Sequence, residues 1–146
     1  MTKQQLASVY RDYIACLNAR DWSGLARFVS ADVVHNGRRL GFLGYREMLV
    51  KDFLDIPDLH FKVDLLVSEP PYVASRLLFN CTPTRTFLDL GVNGRTVSFG
   101  ENVFYEFRDD PSLDSDRVPV TGVPAPRNLV PDHAPLHRRQ CSSAFC

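Results

Sequence analysis

The chain reads Thr96-Val-Ser-Phe-Gly-Glu-Asn-Val-Phe-Tyr-Glu-Phe107 over the segment that decides its fold. Apolar side chains recur at every second position, which is typical of a β-strand with one buried face. That face carries one acid among apolar and aromatic residues: Val97, Phe99, Glu101, Val103, Tyr105 and Phe107. The pattern therefore predicts a long strand over 96–107, with Glu101 directed toward the core.

Further strands are predicted upstream of this one. In 59–67 the odd positions, from Leu59 to Val67, are apolar, and the even ones include His60 and Lys62. Residues 72–82 alternate in the same way, and 87–90 form a predicted third strand. Proline and glycine clusters at 68–71 and 91–94 predict turns. Because the connections are short, we expect one curved antiparallel sheet.

Helices are predicted in the first third of the chain. Thr2 and Gln5 form a capping-box pattern before an apolar stripe of helical period, which predicts a helix over 4–19. Asp21 can cap a short second helix, and Gly44 opens a third. Helices followed by a strand meander indicate an α+β domain rather than a βαβ unit.

The composition changes after Arg108. Prolines are frequent between 111 and 146, and no helical or strand period persists there. We expect a domain over 1–110 and an irregular, proline-rich tail over 111–146.

Charge and cysteine usage exclude several classes of function. The 17 basic and 17 acidic residues cancel, which gives no electrostatic case for binding nucleic acid or an anionic membrane. The N-terminal residues lack the apolar stretch of a signal peptide, so a cytoplasmic location is expected. The four cysteines form no C-x-x-C pair and no zinc spacing, and we expect no metal and no cofactor.

Several motifs together resemble one known family. They are Tyr10-x-x-Tyr13-Ile14-x-x-Leu17-Asn18-x-x-Asp21-Trp22, Val34-His35-Asn36-Gly37, Gly44-Tyr45-Arg46, Ile56-Pro57-Asp58-Leu59-His60-Phe61 and Gly100-Glu101-Asn102-Val103-Phe104. In order and spacing they resemble the SnoaL-like polyketide and ester cyclases of the NTF2-like superfamily. The resemblance implies a cone-shaped sheet around a long helix, a small-molecule substrate, acid–base catalysis without metal or organic cofactor, and a homodimer. The family normally ends with one more long strand, so the resemblance implies that the last strand of the sheet is missing or altered here and that Phe99, Val103 and Phe107 lose cross-strand neighbours. The polyketide cyclases of that family commonly use an aspartate near that strand, and this sequence has no recognisable equivalent.

Glu101 and His35 are the predicted catalytic residues. A carboxylate among apolar neighbours is desolvated, which raises its pKa and suits a general acid–base near neutral pH. A bulge that turned Glu101 to solvent would remove that role. His35 precedes an Asn-Gly turn, where it either shuttles a proton at the cone mouth or lies on the surface.

Four other residues are predicted substrate contacts. Trp22, Tyr45 and Phe53 can line a pocket for a planar molecule or belong to the core. Arg76 can bind a substrate carboxylate, can pair with an acid of a second copy, or can lie on a solvated face.

These residues favour a cyclase or isomerase of secondary-metabolite biosynthesis that acts on a polyketide-like or terpenoid-like ester or ketone. A non-catalytic binding or association module and an epoxide-type hydrolase are the alternatives. The position of Glu101, either buried near His35 or exposed to solvent, distinguishes an enzyme from a binder.

Overall fold

The computed structural model describes residues 1–84 and 94–108, together with the backbone of two short strands at 120–122 and 130–131. The helical elements there are α1 (Lys3–Asn18), a short 3-10 helix (Gly24–Arg27) and α2 (Gly41–Asp55). The strands are β1 (Val34–His35), β2 (Arg38–Arg39), β3 (Lys62–Glu69), β4 (Tyr72–Cys81), β5 (Val97–Phe107), β6 (Val120–Gly122) and β7 (Val130–Pro131). Among the described residues, no helix combines the length and the apolar character needed to cross a membrane.

Helix α1 begins at the predicted capping box. The Thr2 hydroxyl accepts a hydrogen bond from the Gln5 amide at 3.2 Å, and the Gln5 side chain accepts one from the Thr2 amide at 2.8 Å. At the other end, the Asn18 side chain donates to the Phe61 carbonyl at 2.9 Å and accepts from the Phe61 amide at 2.8 Å. These two bonds hold the end of α1 against the segment that leads into β3.

The sheet is antiparallel, in the order β3-β4-β5-β6, and β7 also pairs with β5. The inner face of the sheet packs against α1, and its alternate residues form the core. The strands predicted at 72–82 and 96–107 are β4 and β5, and the α+β fold class is confirmed. The strand predicted at 87–90 lies outside the described residues.

The alternation predicted for 59–67 fails in its second half. Leu59 and Phe61 are buried, but Leu65 and Val67 are 58% and 55% exposed. The cause is a register shift between Val63 and Leu65, where β3 has one more residue than β4. A bulge turns the side chains that follow it to the opposite face. The prediction of a single buried face is therefore wrong from Leu65 onward.

The edge of β5 that faces away from β4 is partly paired with other strands. Phe107 lies opposite Val120 of β6, and Phe99 lies opposite Pro131 of β7. The expectation that these two phenylalanines lose their cross-strand neighbours is wrong, because short segments of the last third of the chain occupy the position of a final strand. The domain boundary at 110 and the irregular character of the tail stay predictions.

The short elements differ from the predicted ones in detail. The second helix is a single 3-10 segment, and the Asp21 carboxylate accepts a hydrogen bond from the Gly24 amide at 2.9 Å. Helix α2 begins at Gly41, before the predicted Gly44, and the φ angle of Gly41 is +67°. That left-handed conformation favours glycine and directs the chain from the β1–β2 hairpin into α2.

Candidate active site

Glu101 lies in the middle of β5 on the inner face of the sheet. Its side chain is 1% exposed, and its neighbours along that face are Phe99 and Val103. Leu77 of β4 lies directly across from it. The β4–β5 register is unbroken from Tyr72 to Cys81, so no bulge turns Glu101 to solvent. The structure therefore buries this carboxylate in the apolar face, as the alternation predicted.

Ser75 is a second polar residue on the same inner face. It is 4% exposed and lies opposite Val103, one alternate position along β4 from Leu77. Among the described residues its Oγ has no hydrogen-bond partner. Sequence reasoning missed Ser75, although the signal was present, because a serine interrupts the apolar series that runs from Val73 to Cys81.

A cluster of aromatic rings lies at one end of the inner face. The Phe99 and Phe79 rings stack at 5.0 Å, and Phe79 contacts Phe61 edge-on at 5.2 Å. The ring centroid of Phe53 lies 6.0 Å from that of Phe61 and 5.5 Å from that of Trp22. The predicted substrate contacts Phe53 and Trp22 thus belong to this aromatic cluster, where Phe53 is buried and Trp22 is half-buried.

The other end of the inner face is rich in tyrosine. Tyr10 of α1 lies 5.5 Å from Tyr105 of β5, and Tyr13 lies 5.9 Å from the same ring. The Tyr13 and Tyr45 hydroxyls form a buried hydrogen bond of 2.5 Å, which joins α1 to α2. Sequence reasoning singled out Tyr45 but did not connect it with Tyr13, because the two lie in different helices.

His35 lies beside this tyrosine cluster. Its ring is half-buried, and the ring centroid is 5.7 Å from that of Tyr45. The turn of the β1–β2 hairpin fixes its position, since Asn36 and Gly37 adopt φ angles of 48° and 75°. Ring contacts and one hydrogen bond connect His35 through Tyr45 and Tyr13 to Tyr105, which shares its strand face with Glu101.

Arg76 lies on the opposite face of the sheet from Glu101. It is exposed and pairs in register with Leu65 and Asn102. Arg76 and Glu101 therefore cannot line the same cavity. Of the arrangements considered for Arg76, the exposed position is compatible with a solvated face or with an ion pair to a second copy.

One cavity of about 350 Å³ lies at the end of the sheet where β3 turns into β4. It is lined by Met1, Leu6, Pro70, Pro71, Phe107 and Arg108. None of the predicted site residues lines it. Within the described part of the chain, no group of three or more histidine, cysteine, aspartate or glutamate side chains is arranged to hold a metal ion.

Two helices packed on an antiparallel sheet, with Glu101 buried on the inner face of that sheet, define the class as an NTF2-like α+β domain. The family model of the SnoaL-like polyketide cyclases matches residues 7–111, and the chain belongs to that family. No curated protein sequence matches the chain.

Solved structures agree with this assignment. A SnoaL-like polyketide cyclase from Agrobacterium tumefaciens strain C58 is 45% identical, with a TM-score of 0.70, over 81% of this chain and 87% of that chain. TsrD from Streptomyces laurentii is 18% identical, with a TM-score of 0.64, over 81% and 85% of the two chains. IdmH from Streptomyces antibioticus is 16% identical, with a TM-score of 0.62, over 78% and 86%. The last two share the fold alone.

Proposed function

We propose that the protein is a cofactor-independent cyclase or isomerase of secondary-metabolite biosynthesis. Its substrate is a polyketide-like or terpenoid-like ester or ketone, and Glu101 is the general base. The observation that carries the proposal is the burial of Glu101, 1% exposed, within an otherwise apolar strand face. An acid in this position can meet an enclosed substrate away from bulk water.

The proposed reaction begins at a carbon next to a carbonyl group. The Glu101 carboxylate takes the proton from that carbon, and the electron pair of the broken C–H bond moves through the carbonyl carbon onto oxygen. In a cyclase, the resulting enolate attacks a second carbonyl carbon of the same molecule, and the new alkoxide receives a proton. In an isomerase, the proton returns to a different carbon. In both outcomes the proton that is removed is matched by one that is returned, and no other reactant is consumed.

His35 is the proposed partner that polarises the substrate or returns the proton. Its half-buried ring beside Tyr45 suits a group that exchanges protons with solvent on one side and with the tyrosine cluster on the other. Trp22 and Phe53 are the proposed apolar contacts of the substrate. Because Glu101 is almost completely covered, the substrate reaches it only when neighbouring side chains or segments move.

A binding module of the same fold has no need of a carboxylate in its core. A carboxylate is rare in a strand core, and buried acids concentrate at sites that move protons. Membership in the SnoaL-like family supports the same conclusion. Enzymatic acid–base chemistry is therefore favoured over plain binding or epoxide hydrolysis.

The decisive test is Glu101→Gln, which keeps the shape of the side chain and removes the base. Turnover of an aromatic polyketide methyl ester with a β-ketoacyl side chain, followed by chromatography, should fall on the order of 100-fold or more. Glu106→Gln is the matched control, because Glu106 lies on the same strand, on the opposite face, and pairs with Arg108. Turnover that is equal in the two variants would refute the role of Glu101.

We also propose a homodimer formed through the outer face of the sheet. The large exposed apolar residues Leu65, Val67, Tyr72 and Phe104 lie on adjacent strands of that face. A two-fold axis along the row Val67–Ala74–Phe104 would set the row of Arg76 against the row of Glu69 and Glu106 in a second copy. The cytoplasmic location expected from the sequence stays a prediction.

A further inference from the structure

Ser75 has an unusual environment for a hydroxyl group. It is 4% exposed, and its Oγ has no hydrogen-bond partner among the described residues. A buried polar group without a partner is destabilising, and alanine or valine would fit a strand core without that penalty. A hydroxyl retained in such a position is available to a ligand that enters the inner face.

Ser75 and Glu101 are diagonal neighbours on that face. Glu101 lies opposite Leu77, and Ser75 is the next residue of β4 on the same side of the sheet, opposite Val103. Diagonal neighbours are separated by about 7 Å, so a small planar group can contact both side chains once the residues that cover them move. A carbonyl group and its neighbouring carbon span that separation, with a hydrogen bond of about 2.8 Å to the oxygen and an approach of about 3–3.5 Å to the carbon.

We propose that the Ser75 hydroxyl donates a hydrogen bond to the substrate carbonyl whose neighbouring C–H bond Glu101 breaks. This inference depends on the proposed function of Glu101. As the proton moves to Glu101, the electron pair of the C–H bond becomes the negative charge of the enolate oxygen. Ser75 keeps its proton and stabilises that charge through a hydrogen bond that strengthens as the charge develops. The ligand class is an enolisable ketone or β-keto ester, and a phenol is its stable enol mimic.

His35 was given two possible roles above, to polarise the substrate carbonyl or to return the proton. With Ser75 as the donor to the carbonyl oxygen, His35 acts in returning the proton. The tyrosines between His35 and the face of Glu101 provide hydroxyl groups along that route, and the Tyr13–Tyr45 bond is one step of it.

Binding of a phenol tests the Ser75 assignment without turnover. The affinity for 2-naphthol and for naphthalene is measured by equilibrium dialysis on wild type, Ser75→Ala, Ser75→Thr and Ser98→Ala. Ser98 is the control, because it is exposed and bonds to the Asn80 side chain on the outer face. Ser75→Ala should weaken 2-naphthol binding about tenfold and leave naphthalene binding unchanged. Ser75→Thr, which keeps the hydroxyl group, should still bind 2-naphthol more tightly than naphthalene, as wild type does.

Equal 2-naphthol affinity in wild type and Ser75→Ala, including the case in which neither binds, overturns the assignment. Turnover measurements provide a second test of the role of Ser75. Ser75→Ala should lose on the order of 100-fold in kcat while its urea midpoint is unchanged or higher, as for a lost oxyanion donor rather than a lost structural bond. Normal turnover in Ser75→Ala together with loss in Glu101→Gln removes the role of Ser75 only. Normal turnover in Glu101→Gln refutes the proposed function instead.

Discussion

The two faces of the sheet depart from ordinary burial rules in opposite directions. The inner face carries a buried glutamate and a buried serine, whereas the outer face exposes Leu65, Val67 and Phe104. Acidic and hydroxyl side chains are mostly exposed in folded proteins, and large apolar patches are normally covered. Each departure therefore marks a surface at which something else is expected to bind, a small molecule on the inner face and a second protein chain on the outer face.

The contrast arises within single strands, because adjacent residues of β4 and β5 point to opposite faces. On β4, Ser75 is buried and Arg76 is exposed; on β5, Val103 is buried and Phe104 is 47% exposed. A pair of substitutions on one strand can therefore test the two faces separately. The free energy of unfolding should respond to the inner face, and the oligomeric state to the outer face.

The largest effect is expected for Phe79→Ala, which opens a cavity in the aromatic cluster. Phe79 is 3% exposed and contacts both Phe99 and Phe61, so the free energy of unfolding in urea should fall by about 3–5 kcal/mol. Phe104→Ala is the matched substitution on the outer face, and at low protein concentration it should change this free energy by less than about 1 kcal/mol. Equal losses in the two variants would show that the outer face is part of the monomer core.

The next effect concerns association through the outer face. Leu65→Asp places a carboxylate in the proposed interface, and the dissociation constant of the homodimer should rise on the order of 100-fold or more. Sedimentation equilibrium measures this change. Leu43→Asp is the control, because Leu43 is 68% exposed on α2, away from the sheet. A monomeric wild type at micromolar concentration, or equal behaviour of the two variants, would contradict the dimer.

Much of the fold was predictable because period and capping are local properties. Thr2 and Gln5 indicated the start of α1, and strict alternation indicated β4, β5 and the buried position of Glu101. The bulge between Val63 and Leu65 was not predictable, since Leu65 and Leu66 are both apolar and either can face inward. Only the pairing with β4 decides which of the two does so.

The candidate site was predictable in part for the same reason. Glu101 was evident from its own strand, but the hydrogen bond between Tyr13 and Tyr45 joins residues 32 positions apart in sequence. Arg76 alternates with apolar residues as a pocket residue would, and only the strand register places it on the face away from Glu101. Local patterns therefore identified single residues, while the combinations depended on tertiary packing.

The smallest effect expected is a pH dependence that originates at the aromatic end of the inner face. Burial, with a further contribution from the Asp58 carboxylate, raises the pKa of the Cys81 thiol to about 11. In the unfolded chain a cysteine ionises near pH 8.5. Above that pH the unfolded state loses a proton that the folded state retains, so the stabilising contribution is complete below it and is lost as the pH rises toward 11.

Between pH 8 and 10, wild type should therefore lose about 2 kcal/mol more stability than Cys81→Ala, in which the thiol is absent. Urea unfolding at the two pH values measures the difference, and the other three cysteines are present in both proteins, so their ionisation cancels in the comparison. Identical pH profiles would mean that water or another polar group stabilises the Cys81 thiolate. The environment beside the stacked Phe79 and Phe99 rings would then not be purely apolar, and burial alone would not account for the raised pKa of Cys81.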